Sequence, residues 1–431
     1  MIKQAHYQFA PEMRPRYKRD KGVTVNSFRS RATTFDLLRD IDPVLANPRL
    51  VSSSFGSIDR VLFSTPSYVF EYPSYLMVYE DLLEKLPSAT KFIFLVHENV
   101  RLILDDLLDR LDMAGRATIL EAPDFMDFTV WAEDGYAVTQ DNGAGSSYFV
   151  EPASFNRYDD SMIADIVAAK TDLDLYHASL YFQGGNILIG DDFWLLGTDY
   201  ANKSVKLGLV RPGDNEPLLK AIRRSYGQSL DNWRKLHLVA SAIPVPHEIE
   251  RQFILNGQQW TEVLYGGNEA GTVQPMFHID MFITLAGRDD NGNPIVLVGD
   301  PSEASRILGE SLQPHAMALV YDNIAGNLEK QGFHVVRNPL PLVYQDDPSE
   351  RKRYWYFATS NNALVEIRGT EKKVWLPTYG HGPWSNLAKT DAANRQVWED
   401  LDFQVTMLTD FHPFAFNQGA AHCINKYLAR G

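Results

Sequence analysis

The chain has 431 residues, 45% hydrophobic and 22% charged, with one cysteine and a formal net charge of −14. That is ample apolar material for a large buried core, while a single thiol excludes an intramolecular disulfide and any cysteine-built zinc site. The acidic balance argues against a duplex nucleic-acid partner, which needs a basic face, and the absence of a membrane-length apolar run or a secretion-type leader points to a soluble, cytoplasmic protein.

In chain order, the first segment opposes the overall charge: Arg14, Arg16, Lys18, Arg19, Lys21, Arg29 and Arg31 lie close together. Residues 1–54 therefore read as a basic N-terminal extension, packed on or flanking a main domain at 55–431. "KFIFLVHE" (91–98) has the continuous apolar run of a buried strand, and "VRLILDDLLDRLDM" (100–113) the three- and four-residue spacing of a helix. "DFTVWAEDGYAVTQD" (127–141) reads as a strand that breaks at Asp134-Gly135 and resumes. "DDSMIADIVAAK" is helical, and "LYHASLYFQGGNILIG" reads as strand, Gly-Gly turn, strand. "FHIDMFITLAG" and "PIVLVGDP" form a hairpin around "RDDNGN". "AMALVYDNIAGNLEKQG" is a helix ending at glycine, followed by the strand "FHVVRN". "YWYFATSNNALVEI" and "KKVWLP" pair as strands, "DAANRQVWEDLD" is helical, "FQVTML" is a strand, and "GAAHCINKYLAR" (419–430) reads as a final helix. A strand–strand–helix–strand unit thus recurs, and no linker or charge block divides the chain after residue 54. The expected fold class is α/β.

Several polar residues fall where strands are expected to end: Asp134 in "WAEDG", Gln183 in "FQGGN", His278 and Asp280 in "FHIDMF", Asn361 and Asn362 in "SNNAL", and Cys423 in "AHCIN". Singly, each has a bland reading. A lone cysteine is a small buried hydrophobe, a histidine on an apolar segment is a satisfied core residue, and an aspartate before glycine is a turn carboxylate. Gly184-Gly185 and Gly266-Gly267 read as turns, without the spacing of a phosphate-binding loop. His278 and Asp280, two apart, would share one face of a strand.

Together and in this order, "WAEDG … FQGGN … HIDMF … NNAL … HC" resembles the agmatine deiminase and peptidylarginine deiminase family of guanidino-modifying enzymes. The resemblance covers residues 55 to 431 and implies a five-bladed, pseudo-symmetric α/β propeller, the pentein fold, built from ββαβ units. It implies that Asp134 and Asp280 clamp the substrate guanidinium, a planar cation whose fork of N–H donors suits carboxylates. Cys423 would be the nucleophile and His278 the acid/base, with Trp131, Glu133, Gln183 and Asn362 completing the substrate site. Asn362 fits the family's asparagine better than Asn361, because Ala-Leu follows it. No cofactor and no metal are implied. A thiol in the first turn of a helix would also have its pKa lowered by the macrodipole. His422, adjacent to the thiol, does not face it on a helix and reads as a supporting residue.

Two positions depart from the family pattern. Gln183 stands where a glutamate usually precedes the Gly-Gly turn, and Glu133 stands where the agmatine type has arginine in "WxRD". An acidic Glu133 near the substrate would disfavour a nearby substrate carboxylate, pointing to peptidyl-arginine or an alkylguanidine such as agmatine; turned to solvent, it would say nothing. Hydrolysis to a ureido product and ammonia is the expected reaction, on a linear amidine and therefore a C–N bond other than a peptide bond. An amidinotransferase on the same fold would share Cys423, His278 and both aspartates, and a non-catalytic propeller binding protein would need none of them. A cysteine protease is disfavoured, since no thiol-protease signature surrounds Cys423.

Overall fold

The computed structural model describes residues 45–141, 145–247, 250–264 and 270–431. The basic cluster of the N-terminal segment and Gly266-Gly267 lie outside these residues. The described residues divide into two compact units, one comprising 45–71, Leu86–Leu238 and Cys423–Gly431, the other Tyr72–Lys85 and Val239–His422.

The first unit holds three sheets. Strands β2 (Ile58–Thr65), β3 (Lys91–His97) and β4 (Ala117–Ala122) run parallel, and β21 (Asn425–Arg430) lies antiparallel beside β2. The helix Arg101–Arg110 makes the crossover between β3 and β4 that parallel pairing requires. In the second sheet β1 (Pro48–Leu50), β5 (Ala137–Asp141) and β6 (Ser146–Glu151) alternate in direction, and β7 (Leu173–His177) joins β6 in parallel. Residues expected in the N-terminal extension thus contribute an edge strand here. The third sheet has the order β10 (Lys235–Val239), β9 (Phe193–Gly197), β8 (Ile187–Ile189), with β8 and β9 antiparallel. Leu62, Leu95, Leu120, Phe149 and Val138 share one apolar core, and Tyr148, Leu196, Trp194 and Ile222 another.

The second unit also holds three sheets. β13 (Ile283–Arg288) and β14 (Pro294–Asp300) form the expected hairpin, and β15 (His334–Pro339) adds in parallel after the helices Pro301–Leu308 and Ala318–Lys330. β18 (Leu364–Arg368), β19 (Glu371–Thr378) and β20 (Gln404–Asp410) repeat the arrangement, with Ala388–Glu399 as crossover helix. The remaining sheet, β11 (Glu250–Leu255), β12 (Gln258–Val263), β17 (Lys352–Phe357) and β16 (Leu342–Asp347), has a different order. Among the described residues four sheets, those of β5–β7, β8–β10, β13–β15 and β18–β20, follow the strand–strand–helix–strand order read from the sequence, and in a fifth β21 from the end of the chain pairs with β2, which leads through a helix to β3.

Four expectations fail locally, for related reasons. The helix over 419–430 is not formed. Asn425–Arg430 is a strand, and Asn425, Lys426, Tyr427 and Leu428 are all buried, so their apolar spacing carried no helical meaning. Residues 127–136, 178–183 and 277–282 are not strands but buried connections between sheets. His278 and Asp280 consequently do not share a strand face, since Ile279–Met281 is a 3₁₀ turn. Likewise "YWYFATSNNALVEI" is two strands of different sheets, β17 and β18, parted at 358–363.

Asp300, where β14 passes into the helix Pro301–Leu308, shows how locally such junctions are set. Its Oδ1 accepts from Ser302 N at 2.8 Å and Glu303 N at 3.0 Å, Pro301 occupies the first turn, and Gly309 closes the helix at φ +72°. Asp300→Ala is expected to lower stability by about 1 kcal/mol in urea unfolding, and Asp300→Asn by only a fraction of that.

Candidate active site

The polar residues singled out in the sequence fall into two buried clusters, one in each unit. In the unit that contains Cys423, the connection between β4 and β5 makes a tight turn, with Asp134 N donating to Trp131 O at 3.2 Å. The turn carries Trp131, Glu133 and Asp134, which are 7, 4 and 3% exposed. Cys423, 2% exposed, lies in the turn that leads into β21, and its carbonyl accepts from Glu133 N at 3.2 Å. With no helix there, the macrodipole expected to activate the thiol is absent.

Gly184 N donates to Asp134 O at 3.0 Å, which docks the Gly-Gly turn onto the same segment. A Cβ on Gly184 would stand 1.8 Å from Glu133 O and 2.9 Å from Lys426 Nζ, so only glycine permits this approach. Gln183 beside it is fixed at both ends of its amide, accepting from Tyr200 OH at 2.9 Å and donating to Asn156 Oδ1 at 3.2 Å.

Electrostatics in this cluster were only partly visible in the sequence. Glu133 does not face solvent; its Oε1 is paired with Lys426 Nζ at 2.7 Å, both side chains being buried. Asp134 Oδ2 accepts from Arg157 Nη2 at 2.7 Å, and Arg157 Nε reaches Asp160. Thr129 holds Asp160 through its backbone N at 2.6 Å and its Oγ1 at 2.7 Å. Burial raises the pKa of Asp160, against the pull of Arg157 and Thr129. Burial pushes the Tyr136 phenol well above its usual value, and Glu133, Asp160 and Asp134 add to this. Arg157, Asp160 and Lys426 were missed from the sequence, where no spacing links them to Asp134 or Glu133.

The other cluster is built around the turn Ile279–Met281. His278, fully buried with extended backbone, enters it, and Asp280, 1% exposed, sits inside it. Asp280 Oδ2 accepts from His422 Nδ1 at 2.8 Å. Asn362 ties the segments together: its Nδ2 donates to Asp280 O at 3.3 Å, its Oδ1 accepts from Ala420 N at 3.1 Å, and its carbonyl accepts from His422 N at 3.1 Å. Asn361 points instead to Asn338, donating to its Oδ1 at 2.9 Å, so the two adjacent asparagines serve different networks. The phenyl ring of Phe277 lies 4.2 Å from the His278 imidazole. Trp131, Glu133, Asp134, Gln183 and Cys423 are thus held together in one unit, and His278, Asp280 and Asn362 in the other. Among the described residues no group of three or more His, Cys, Asp or Glu side chains is arranged to hold a metal ion, and no helix is long and apolar enough to cross a membrane.

These clusters can carry two kinds of chemistry. A buried carboxylate next to a thiol-bearing turn suits a planar cation, and a histidine beside a carboxylate suits proton transfer. The ion pair between Glu133 and Lys426 is testable on its own. Lys426→Met strands a buried carboxylate and should destabilise by about 3–5 kcal/mol, whereas Lys426→Met with Glu133→Gln should recover most of that loss in urea unfolding.

No family model matches the sequence, and no curated protein matches it. Solved structures do match. A candidate peptidyl-arginine deiminase, 13% identical, aligns over 90% of this chain and 100% of its own, with a TM-score of 0.58. The agmatine deiminase of C. jejuni is 14% identical over 88% of this chain and 97% of its own, with a TM-score of 0.57. That of Enterococcus faecalis is 12% identical over 89% and 96%, with a TM-score of 0.55. This chain has the α/β fold of those deiminase structures.

Proposed function

We propose that the chain is a cysteine-dependent hydrolase of a guanidino group, a deiminase that releases ammonia and leaves a ureido product. The observation that carries the proposal is the seat of its one thiol: the Cys423 carbonyl is bonded to Glu133 N, one residue from the buried carboxylate of Asp134. A guanidinium carbon is a weak electrophile because its charge is delocalised, so the reaction calls for a strong, positioned nucleophile. In this reading Cys423 sulfur, as thiolate, bonds to the guanidino carbon while Asp134 and Asp280 hold the N–H groups. His278 passes a proton to the departing nitrogen, and ammonia leaves as the C–N bond breaks. The amidino-thioether cation is then opened by water, which gives one proton to His278 and one to solvent as the thiolate is restored and the ureido carbonyl forms.

The likeness in fold supports this assignment, as does a C. jejuni agmatine deiminase structure of a Cys-to-Ser variant with substrate bound. Five recurring units are also the number that a five-bladed α/β propeller requires. Glu133 gives no charge argument about the substrate's tail, because Lys426 neutralises it. The proposal therefore covers peptidyl-arginine and agmatine-like compounds alike.

A panel of free arginine, agmatine, an arginine peptide, N-methylated arginines and guanidinopropionate tests it, with ureido product and ammonia both measured. At least one member should give the two in equal amounts. Cys423→Ala should reduce that turnover more than about a thousandfold, and His278→Ala by about 10²–10⁴-fold. Transfer of the amidino group to added glycine without ammonia release, or full turnover by Cys423→Ala, would refute the proposal.

A further inference from the structure

We infer that Arg157 is a positioning residue for Asp134, aligning that carboxylate with its own guanidinium while the same guanidinium holds Asp160. The inference rests on reading Asp134 as a guanidinium clamp, but the geometry is independent of that reading.

Arg157 is shared between two buried carboxylates: Nη2 lies 2.7 Å from Asp134 Oδ2, and Nε is bonded to Asp160. Asp160 is 1% exposed and fixed from two directions by Thr129, while the Arg157 guanidinium also lies 5.0 Å from the ring of Phe155. A ligand that displaced Arg157 would leave Asp160 buried without its cation, a heavy penalty in a dry site. Arg157 is therefore a fixture rather than a plug, and a ligand must join Asp134 beside it. Only a planar fork reaches both carboxylates in this way; a lysine ammonium is a point charge and holds one.

The electrostatics support the same role. Among the described residues, Glu133 and Asp160 stand near Asp134 and are paired with Lys426 and Arg157, and burial raises the pKa of the Tyr136 phenol beside them. Burial raises the Asp160 pKa and Arg157 opposes that rise, so removing Arg157 would favour the protonated form of Asp160.

Arg157→Lys and Arg157→Gln test this in the full chain, with folding checked by circular dichroism. Arg157→Lys should raise KM for the best guanidine about tenfold with a smaller change in kcat, the effect of losing one oriented hydrogen bond. Arg157→Gln should in addition move the acid limb of kcat/KM to higher pH. A purely structural role would lower kcat through loss of active protein, with KM and the pH limb unmoved, and would overturn the inference. A lower KM in Arg157→Gln would also overturn it, since Arg157 would then be a competitor. If the wild-type chain turns over no guanidine, the hydrolase reading fails by itself, and alignment is read from carboxyl infrared difference spectra. There, the carboxylate stretching band assigned to Asp134 by Asp134→Asn should shift in frequency in Arg157→Gln at a fixed pH; an unmoved band overturns the inference.

Discussion

A peptide segment that runs through the interior without joining a sheet must still satisfy its N–H and C=O groups. This constraint governs the parts of the chain that matter most. The connections at 127–136, 178–183, 277–282 and 358–363 are largely buried, and none is a strand. Their backbone groups are met by tight turns, by glycine docking and by asparagine side chains. Gly184 bonds to Asp134 O, Asn362 spans Asp280 and Ala420, and Thr359 Oγ1 bonds to Met281 O at 2.6 Å. Loops normally lie on the surface because water satisfies them there. Here polar side chains such as those of Asn362 and Thr359 take the place of water.

The same constraint explains which parts of the structure were legible in the sequence. Regular elements were read well wherever a period is imposed: the apolar run of β3, the spacing of Arg101–Arg110, the hairpin of β13 and β14, and the helix Ala318–Lys330 with its strand β15. The recurrence of the strand–strand–helix–strand unit was legible for the same reason. Buried connections are as apolar as strands but have no period, so "FTVW", "SLYF" and "FHID" were taken for strand. The stretch around Cys423 failed in the opposite sense, because a strand buried on both faces has no alternation to display.

Of the two buried clusters, the polar residues singled out in the sequence are buried, whereas their partners were not legible there. Asp134, Gln183, His278, Asp280, Asn362 and Cys423 stand out because each is a polar group in an apolar run. What neutralises or orients them is set by folding between distant segments: Lys426 reaches Glu133 across 293 positions, and His422 reaches Asp280 across 142. Glu133 is the instructive case. In sequence it is an acidic residue next to the aspartate read as a clamp, and in structure it is half of a buried ion pair whose worth depends on both members remaining.

The two asparagines at 361 and 362 carry a consequence for how this chain can change over time. Asn361 joins Asn338, which in turn donates to Asn394 Oδ1 at 2.8 Å, while Asn362 anchors the turn that bears Asp280. Because neighbouring residues have the same side chain but opposite duties, the stretch is insensitive to an exchange of their identities and wholly sensitive to their phase. A one-residue insertion or deletion between Ala358 and Ala363 would leave an asparagine in only one of the two places and turn the wrong backbone carbonyl towards His422. Substitution can drift through such a segment, whereas a change of length cannot.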